Sequence, residues 1–185
     1  MSTLAWFSLI ATSLALGGLR PAIASPPAAR EAPMATESVD RLAGSFRFAG
    51  GGRERAARDA AIDQVVDEMS FLVRGIARKR LREANRIRER VAISRQGDKL
   101  TVRLDGETFT APINGPAVDV VARDGMELKL RYRIAKGRIE QTLQAEEGGR
   151  TNHFEVDGKG RLTVRVRIFS EKLPKDVRYR LTYAR

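Results

Sequence analysis

The chain is 185 residues long, carries 34 Lys and Arg against 23 Asp and Glu for a formal net charge of +11, and contains no cysteine. This length predicts a single domain with a substantial core, and the lack of cysteine excludes disulfides, thiolate metal sites, cysteine nucleophiles and a lipoprotein anchor. The basic charge favours anionic partners such as lipid headgroups, lipopolysaccharide or other amphiphiles, although arginine spread over a solvated surface explains it equally well.

Residues 1–24 predict a cleaved signal peptide. The uncharged apolar run Leu4–Leu19 is about 16 residues long, shorter than the roughly 20 that span a bilayer as a helix. It is followed by Ala22–Ala24, whose small first and third residues suit signal peptidase. Cleavage near Ala24 predicts a periplasmic or extracellular protein. Because no Lys or Arg precedes the apolar run, an uncleaved N-terminal anchor remains the alternative.

Residues 25–41 mix Pro, Ala, Ser and charge without an apolar period, which predicts a flexible linker ahead of one domain over residues 42–185. Gly44–Phe48 alternates in polarity and predicts a first strand. The glycines 50–52 that follow lack the spacing of a dinucleotide-binding loop and the Gly-Lys-Ser/Thr ending of a P-loop. They therefore favour a plain turn from strand to helix.

A single long helix is predicted over about residues 53–85. Its acidic residues fall in the first half and its basic residues in the second, which complements the helix dipole. Gly75 leaves two shorter helices as the alternative. The apolar residues recur at spacings of three and four and predict one buried face: Ile62, Val65, Val66, Met69, Leu72, Val73 and Ile76.

From residue 91 onward the apolar period becomes two, and turn residues recur every eight to twelve positions, without any interleaved helical pattern. This predicts an antiparallel up-and-down meander of eight or nine short strands. Closing such a sheet removes its edges. The predicted fold is mainly β, a closed or half-open lipocalin-like barrel with the helix between strands 1 and 2. A curved sheet wrapped by the helix is the alternative.

This order of strand, glycine-rich turn, long helix and meander, over about residues 42–185, resembles the calycin group of small-ligand barrels. Typical lipocalins carry Gly-x-Trp at the first strand, where this chain has Gly44-Ser45-Phe46. The stretches Phe71–Arg78, Gly149–Asn152 and Leu173–Arg185 also resemble a group of uncharacterised exported bacterial proteins. The resemblance implies a lipocalin-like β-barrel that binds a small ligand.

The outer faces of the last two predicted strands place Arg165 and Arg167 against Arg178 and Arg180. Like charges directly opposite each other are unfavourable without a counter-anion, so these four residues are a candidate surface for an anionic partner. Solvent screening of an ordinary charged surface is the alternative.

Tyr132 and Tyr179 fall on the inward face, where they would either contact an apolar ligand or fill the barrel. Nucleic acid is an unlikely partner, because binders of single strands expose their aromatic residues for stacking. His153 is the only histidine, and no triad or metal-ligand pattern surrounds it. The sequence therefore predicts no enzyme activity, no metal and no cofactor.

Together these patterns lead to the hypothesis of an exported cell-envelope protein that binds an apolar or anionic amphiphilic ligand. The barrel would hold the tail, and the four arginines would meet the head. The alternative is a structural or interaction module with a filled core that docks on an envelope protein or an anionic polymer. The oligomeric state is left open.

Overall fold

The computed structural model describes residues 39–135 and 137–185. The predicted signal peptide, with its cleavage site, and residues 25–38 of the predicted linker lie outside the described residues. Residues 39–42 form a helical turn whose Val39 and Leu42 are buried in the core. The packed domain thus includes Val39, three residues before the predicted boundary at residue 42.

One ten-stranded antiparallel sheet dominates the fold. Consecutive strands pair with each other except β4 and β5, which form the two edges, and the first strand also pairs with the last, so the sheet order is β4-β3-β2-β1-β10-β9-β8-β7-β6-β5. The predicted meander is confirmed, with nine strands after the helical segment. The strands are β1 Gly44–Phe48, β2 Arg90–Gln96, β3 Lys99–Leu104, β4 Glu107–Pro112, β5 Val118–Val121, β6 Glu127–Ala135, β7 Arg138–Gln144, β8 Gly148–Val156, β9 Leu162–Ser170 and β10 Val177–Ala184.

The sheet curls until its two edge regions nearly meet. Just beyond β4, Ile113 forms a parallel bridge with Tyr132 of β6. The backbone N–H of Asn114 donates to the Tyr132 carbonyl at 3.0 Å, and the side-chain oxygen of Asn114 accepts from the Ile134 N–H at 2.8 Å. These contacts make a nearly closed barrel and satisfy part of the edge.

Two helices, α1 Gly51–Val66 and α2 Phe71–Ala84, lie between β1 and β2. The prediction of one long helix is therefore wrong, and the break lies at residues 67–70 instead of at Gly75, which is inside α2. Ser70 has an extended backbone (φ −55°, ψ 138°) that no helix continues.

The break folds the acidic half of the segment back onto its basic half. Asp63 of α1 accepts from Arg78 Nε at 2.9 Å and from Arg82 Nη2 at 2.9 Å, and Asp67 accepts from Arg78 Nη2 at 2.8 Å. The charge order interpreted above as complementing one helix dipole thus pairs two helices across a hairpin.

The two helices differ in how they are held. Ile62, Val65 and Val66 of α1 are buried in the core, whereas α2 contributes no buried residue. The predicted apolar face is therefore correct for α1 and for Met69, which packs against the core, and wrong within α2, since Leu72, Val73 and Ile76 are exposed. Within the described residues no helix is long and apolar enough to cross a bilayer.

The barrel has two distinct ends. Because successive strands run in opposite directions, the turns after β3, β5, β7 and β9 lie at the same end as the helices. A 2.5 Å ion pair between Lys175, in the turn after β9, and Glu68, between the helices, agrees with this placement. We call this the helix end, and the opposite one the far end.

Candidate functional site

A chain of hydrogen-bonded side chains crosses the barrel interior. The Tyr132 hydroxyl donates to the Phe109 carbonyl at 3.0 Å and accepts from Gln141 Nε2 at 2.9 Å. Asn152 Nδ2 donates to Gln141 Oε1 at 2.8 Å, and Arg150 Nε donates to Asn152 Oδ1 at 2.8 Å. The register explains the chain, because Tyr132, Gln141 and Asn152 are cross-strand neighbours on the same inward face.

Tyr132 is fully buried at the inner end of this chain. Burial raises the pKa of its hydroxyl, and the hydrogen bond with Gln141 acts in the opposite direction. Because its hydroxyl already has two protein partners, Tyr132 serves to order the interior. Its predicted contact with a ligand stays a prediction.

Arg150, at the other end of the chain, is a partly buried cation with spare donors. Its Nε is used by Asn152, and its two Nη groups have no hydrogen-bond or carboxylate partner among the described residues. Burial raises the pKa of Tyr183, while the charge of Arg150 lowers it and Tyr179 raises it. In the sheet, Tyr179 pairs with Val166 and Val166 pairs with Asn152, so Tyr179 and Arg150 lie on the same inward face, one inward position apart along the strands.

Tyr179 differs from Tyr132 in its hydrogen bonding. Its side chain is 9% exposed, and its buried hydroxyl has no hydrogen-bond partner among the described residues. A buried hydroxyl without a partner costs free energy. An unpartnered hydroxyl on the same inward face as a cation with free donors is the arrangement expected of a binding site for a polar group.

The half of the interior toward the far end is fully packed. Leu100, Ile139, Phe154 and Leu162, which lie toward the far end, have 0% exposure, and a side chain with no accessible surface borders no space that water can enter. Arg150 and Tyr179 each lie three residues into their strands from the helix end. The far half is thus filled by its own side chains, as the filled-core alternative expects.

The four arginines predicted to face each other do so. Arg167 is opposite Arg178, and Arg165 is opposite Arg180. The expected lack of counter-anions is wrong for three of them. Their partners are Glu155, 2.6 Å from Arg165, and Asp176, 2.7 Å from Arg167 and 2.6 Å from Arg178. Arg180 has no carboxylate partner among the described residues.

These ion pairs affect both carboxylates. The hydrogen bond from Arg165 is the main cause that lowers the pKa of Glu155, and the hydrogen bond from Arg167 is the main cause that lowers the pKa of Asp176. The four arginines, with Arg138 and His153, line an open concavity of about 580 Å³ on the outer face. His153 lies on this face as predicted, 3.7 Å from Glu140.

The barrel wall separates this outer concavity from the interior. Strands β9 and β10 pair without interruption from Ile168↔Val177 to Leu162↔Tyr183. A tail inside the barrel therefore cannot belong to a head at the four arginines, and the hypothesis of one ligand that spans both is wrong. The inner and outer surfaces are separate candidates.

Sequence reasoning missed Arg150, Gln141 and Asn152. The signal was present in part, because Arg150 and Asn152 alternate with Phe154 on the inward face of β8, and Gln141 lies between Ile139 and Leu143 on the inward face of β7. Polar residues in an otherwise apolar register are the informative exceptions in such strands. In the part of the chain that the structure describes, no group of three or more His, Asp or Glu residues is placed to hold a metal.

The sequence matches no protein-family model, and no curated protein matches it. The structure is similar to that of apo lipid binding protein 8 of Caenorhabditis elegans (10% identity, TM-score 0.51, covering 79% of this chain and 96% of that one). It is also similar to a secretary abundant heat soluble protein of Ramazzottius varieornatus (11% identity, TM-score 0.51, 78% and 95% coverage). Wild-type fluorescent protein UnaG is a third (15% identity, TM-score 0.50, 80% and 98% coverage). The chain thus shares the β-barrel fold of these three proteins.

Proposed function

We propose that this protein is an exported, non-enzymatic binder of an anionic amphiphile in the cell envelope. The observation that carries the proposal is the partly buried Arg150, whose free Nη groups lie on the same inward face as the unpartnered Tyr179 hydroxyl. An anionic head that accepts from both would satisfy donors that the protein alone leaves unused. Hydrogen bonds to a charged group contribute about 1.5–3 kcal/mol.

The ligand's apolar part lies in the helix half of the barrel, beneath α1 and α2. The far half has no room for it, because its inward side chains are packed to 0% exposure. Ile168 and Leu143, each 8% exposed and each paired with Arg150 in the sheet, provide apolar contacts next to the cation. This arrangement favours a compact or short-chained amphiphile over a long folded chain.

The test uses two dyes, anionic anilinonaphthalene sulfonate and uncharged Nile red. Arg150→Met should weaken anilinonaphthalene sulfonate binding about ten- to a hundredfold while Nile red binding stays unchanged. Arg165→Met, which removes an arginine from the outer face, is the matched control and should alter neither. Equal loss with both arginine variants, or no dye binding by the folded wild type, would refute the interior site.

Export is part of the proposal and is supported by the apolar run and small-residue site in residues 1–24. Native mass spectrometry of the protein recovered from its own envelope without detergent tests both parts. A measured mass that matches a polypeptide beginning near residue 25 supports cleavage, and additional mass that matches a bound amphiphile supports binding. A full-length, ligand-free mass contradicts both.

A second candidate function is docking on an anionic polymer through the outer concavity. The unpaired Arg180 and the concave shape favour it, since one linear anion could lie along the facing arginines. Dextran sulfate is a suitable probe, and the affinity should fall steeply with salt. Replacement of Arg165, Arg167, Arg178 and Arg180 by Gln should abolish binding. The charge-matched control replaces other exposed arginines, namely Arg90, Arg103, Arg131 and Arg133, and equal loss in that variant would leave only nonspecific attraction.

A further inference from the structure

The largest exposed apolar side chains gather at one end of the molecule. Phe71 and Leu72 are 85% and 83% exposed, and Val73 and Ile76 of the same helix are also exposed. The other large apolar residues that are exposed in the described part of the chain, Val121 and Met126, flank the turn after β5. That turn lies at the helix end as well, so the far end presents no comparable group within residues 39–135 and 137–185.

The exposed face of α2 has a definite order along the helix. Its first turns carry the apolar residues, and Lys79 and Arg80 follow on the exposed side. Over Phe71–Ala84 the sequence has five Arg or Lys and one Glu, a net charge of +4 by this count. Phe71, Leu72 and Ile76, with the stems of Arg74 and Arg78, line a shallow groove of about 460 Å³.

No other part of the described structure covers these apolar side chains. The inner side of α2 is formed by Ala77 and Leu81, which pack against the core, and by Arg78 and Arg82, which are paired with α1. Leu72 and Ile76 point away from that side. Four adjacent apolar side chains in water are an unfavourable arrangement unless they have a partner.

We infer that the helix end docks on the surface of an anionic lipid bilayer, with the start of α2 entering the interface. The start of α2 combines apolar side chains with neighbouring cations. The apolar side chains can enter the boundary of the acyl chains, while the cations contact the anionic headgroups. Each Lys or Arg near an anionic leaflet strengthens the attraction to the surface. The inference is independent of the proposed interior site.

The chain's lack of cysteine permits a direct test. A nitroxide spin label is attached to Leu72→Cys at the helix end or, as the control, to Gln96→Cys at the far end, in the full chain. Vesicles of phosphatidylcholine with about one-third phosphatidylglycerol are compared with pure phosphatidylcholine vesicles. We expect the label at residue 72 to become accessible to oxygen and shielded from aqueous nickel in the anionic vesicles, and the label at residue 96 to stay in water.

A second pair of variants tests the energetic contribution of the patch. Phe71→Ser with Leu72→Ser should weaken partition into anionic vesicles by at least about tenfold, because two apolar side chains no longer enter the interface. The control Val73→Ala should weaken it far less. Circular dichroism checks that both variants fold.

Two outcomes would overturn the inference. One is equal water exposure of the labels at residues 72 and 96 on anionic vesicles. The other is shielding of residue 72 without lipid, together with spin–spin broadening, which would identify a second copy of the chain as the occupant. Failure of the dye experiments with normal immersion of α2 would refute the interior site and leave the docking surface intact.

Discussion

Replacement of Tyr179 by Phe should stabilise the ligand-free protein, an unusual outcome for a buried side chain. The ring stays and only the hydroxyl is lost, and that hydroxyl is buried without a hydrogen-bond partner among the described residues. A buried, unsatisfied polar group costs about 1–3 kcal/mol. Because Tyr179 still has 9% of its surface exposed, we expect a gain near the lower limit, about 1 kcal/mol in the free energy of unfolding.

Tyr132→Phe is the matched control, with the same chemistry at a hydroxyl that has two partners. Its removal leaves the Phe109 carbonyl and the Gln141 amide without their bonds of 3.0 and 2.9 Å. Because two buried polar groups lose their partner, we expect the free energy of unfolding to fall by about 2–4 kcal/mol. Urea unfolding followed by far-ultraviolet circular dichroism measures both variants, and the gain in Tyr179→Phe corresponds to about 4 °C in the melting temperature.

The same substitution separates stability from binding. If the Tyr179 hydroxyl meets the ligand head, Tyr179→Phe should bind anilinonaphthalene sulfonate more weakly while it unfolds at a higher urea concentration. Opposite signs for stability and affinity are typical of a functional site. A loss of stability in Tyr179→Phe comparable to that in Tyr132→Phe would refute the reasoning, because it would mean that the hydroxyl has a native partner.

Three further predictions concern pH, charge and packing. Burial raises the pKa of both Tyr132 and Tyr183, so the unfolded chain loses these two protons at a lower pH than the folded protein does. The free energy of unfolding should therefore fall above about pH 10, by up to about 1.4 kcal/mol per pH unit for each tyrosine. Urea midpoints that stay constant above about pH 10 would contradict this. Asp176→Asn should cost about 1 kcal/mol or less at neutral pH, because the carboxylate is only partly buried and its ion pairs are screened by solvent. The difference should vanish as pH falls through the lowered pKa of Asp176, and dextran sulfate should bind more tightly to the variant. Ile62→Ala should cost about 2–5 kcal/mol as a fully buried residue, whereas Leu72→Ala should leave the urea midpoint within about 0.5 kcal/mol.

The strands were predictable because their signal is local. Alternation in β9 and β10 placed Val164, Val166, Tyr179 and Leu181 on the inward face, and the structure buries all four. Turn residues then fixed where each strand ended. The pairing of neighbouring strands follows from the short turns, since a two- to five-residue connection makes antiparallel pairing almost obligatory.

The break in the helical segment was not predictable from local sequence patterns. Its apolar period runs through the break without a fault, because Met69 keeps the spacing between Val66 and Leu72, and no Pro or Gly marks residues 67–70. The break at residues 67–70 lets Asp63 of α1 pair with Arg78 of α2, a contact between distant positions that the apolar period does not show. An apolar period says which side chains share a face and not whether a surface exists to cover them.

The interior site depends on register, which the sequence does not encode locally. Gln141 and Asn152 meet Tyr132 only because β6, β7 and β8 align these three positions across the sheet, and a slip of one residue would turn each to the outside. The ion pairs of the outer arginines are similar. Asp176 lies in a turn, and its carboxylate reaches both Arg167 and Arg178 only because the turn folds back over the strands.

The unequal attachment of the two helices links the interior site to the proposed bilayer contact. α1 is fixed by fully buried side chains, whereas α2 is held mainly by partly exposed ion pairs to Asp63 and Asp67 and by the partly buried Ala77 and Leu81. Such pairs contribute about 0–1 kcal/mol each, so α2 can move from the barrel mouth at a cost of a few kcal/mol while α1 stays. A bilayer that binds the apolar start of α2 and whose headgroups compete for its arginines would lower that cost. If the interior site binds an amphiphile as proposed, movement of α2 at the helix end is the expected way in, because the far half is filled by side chains of 0% exposure.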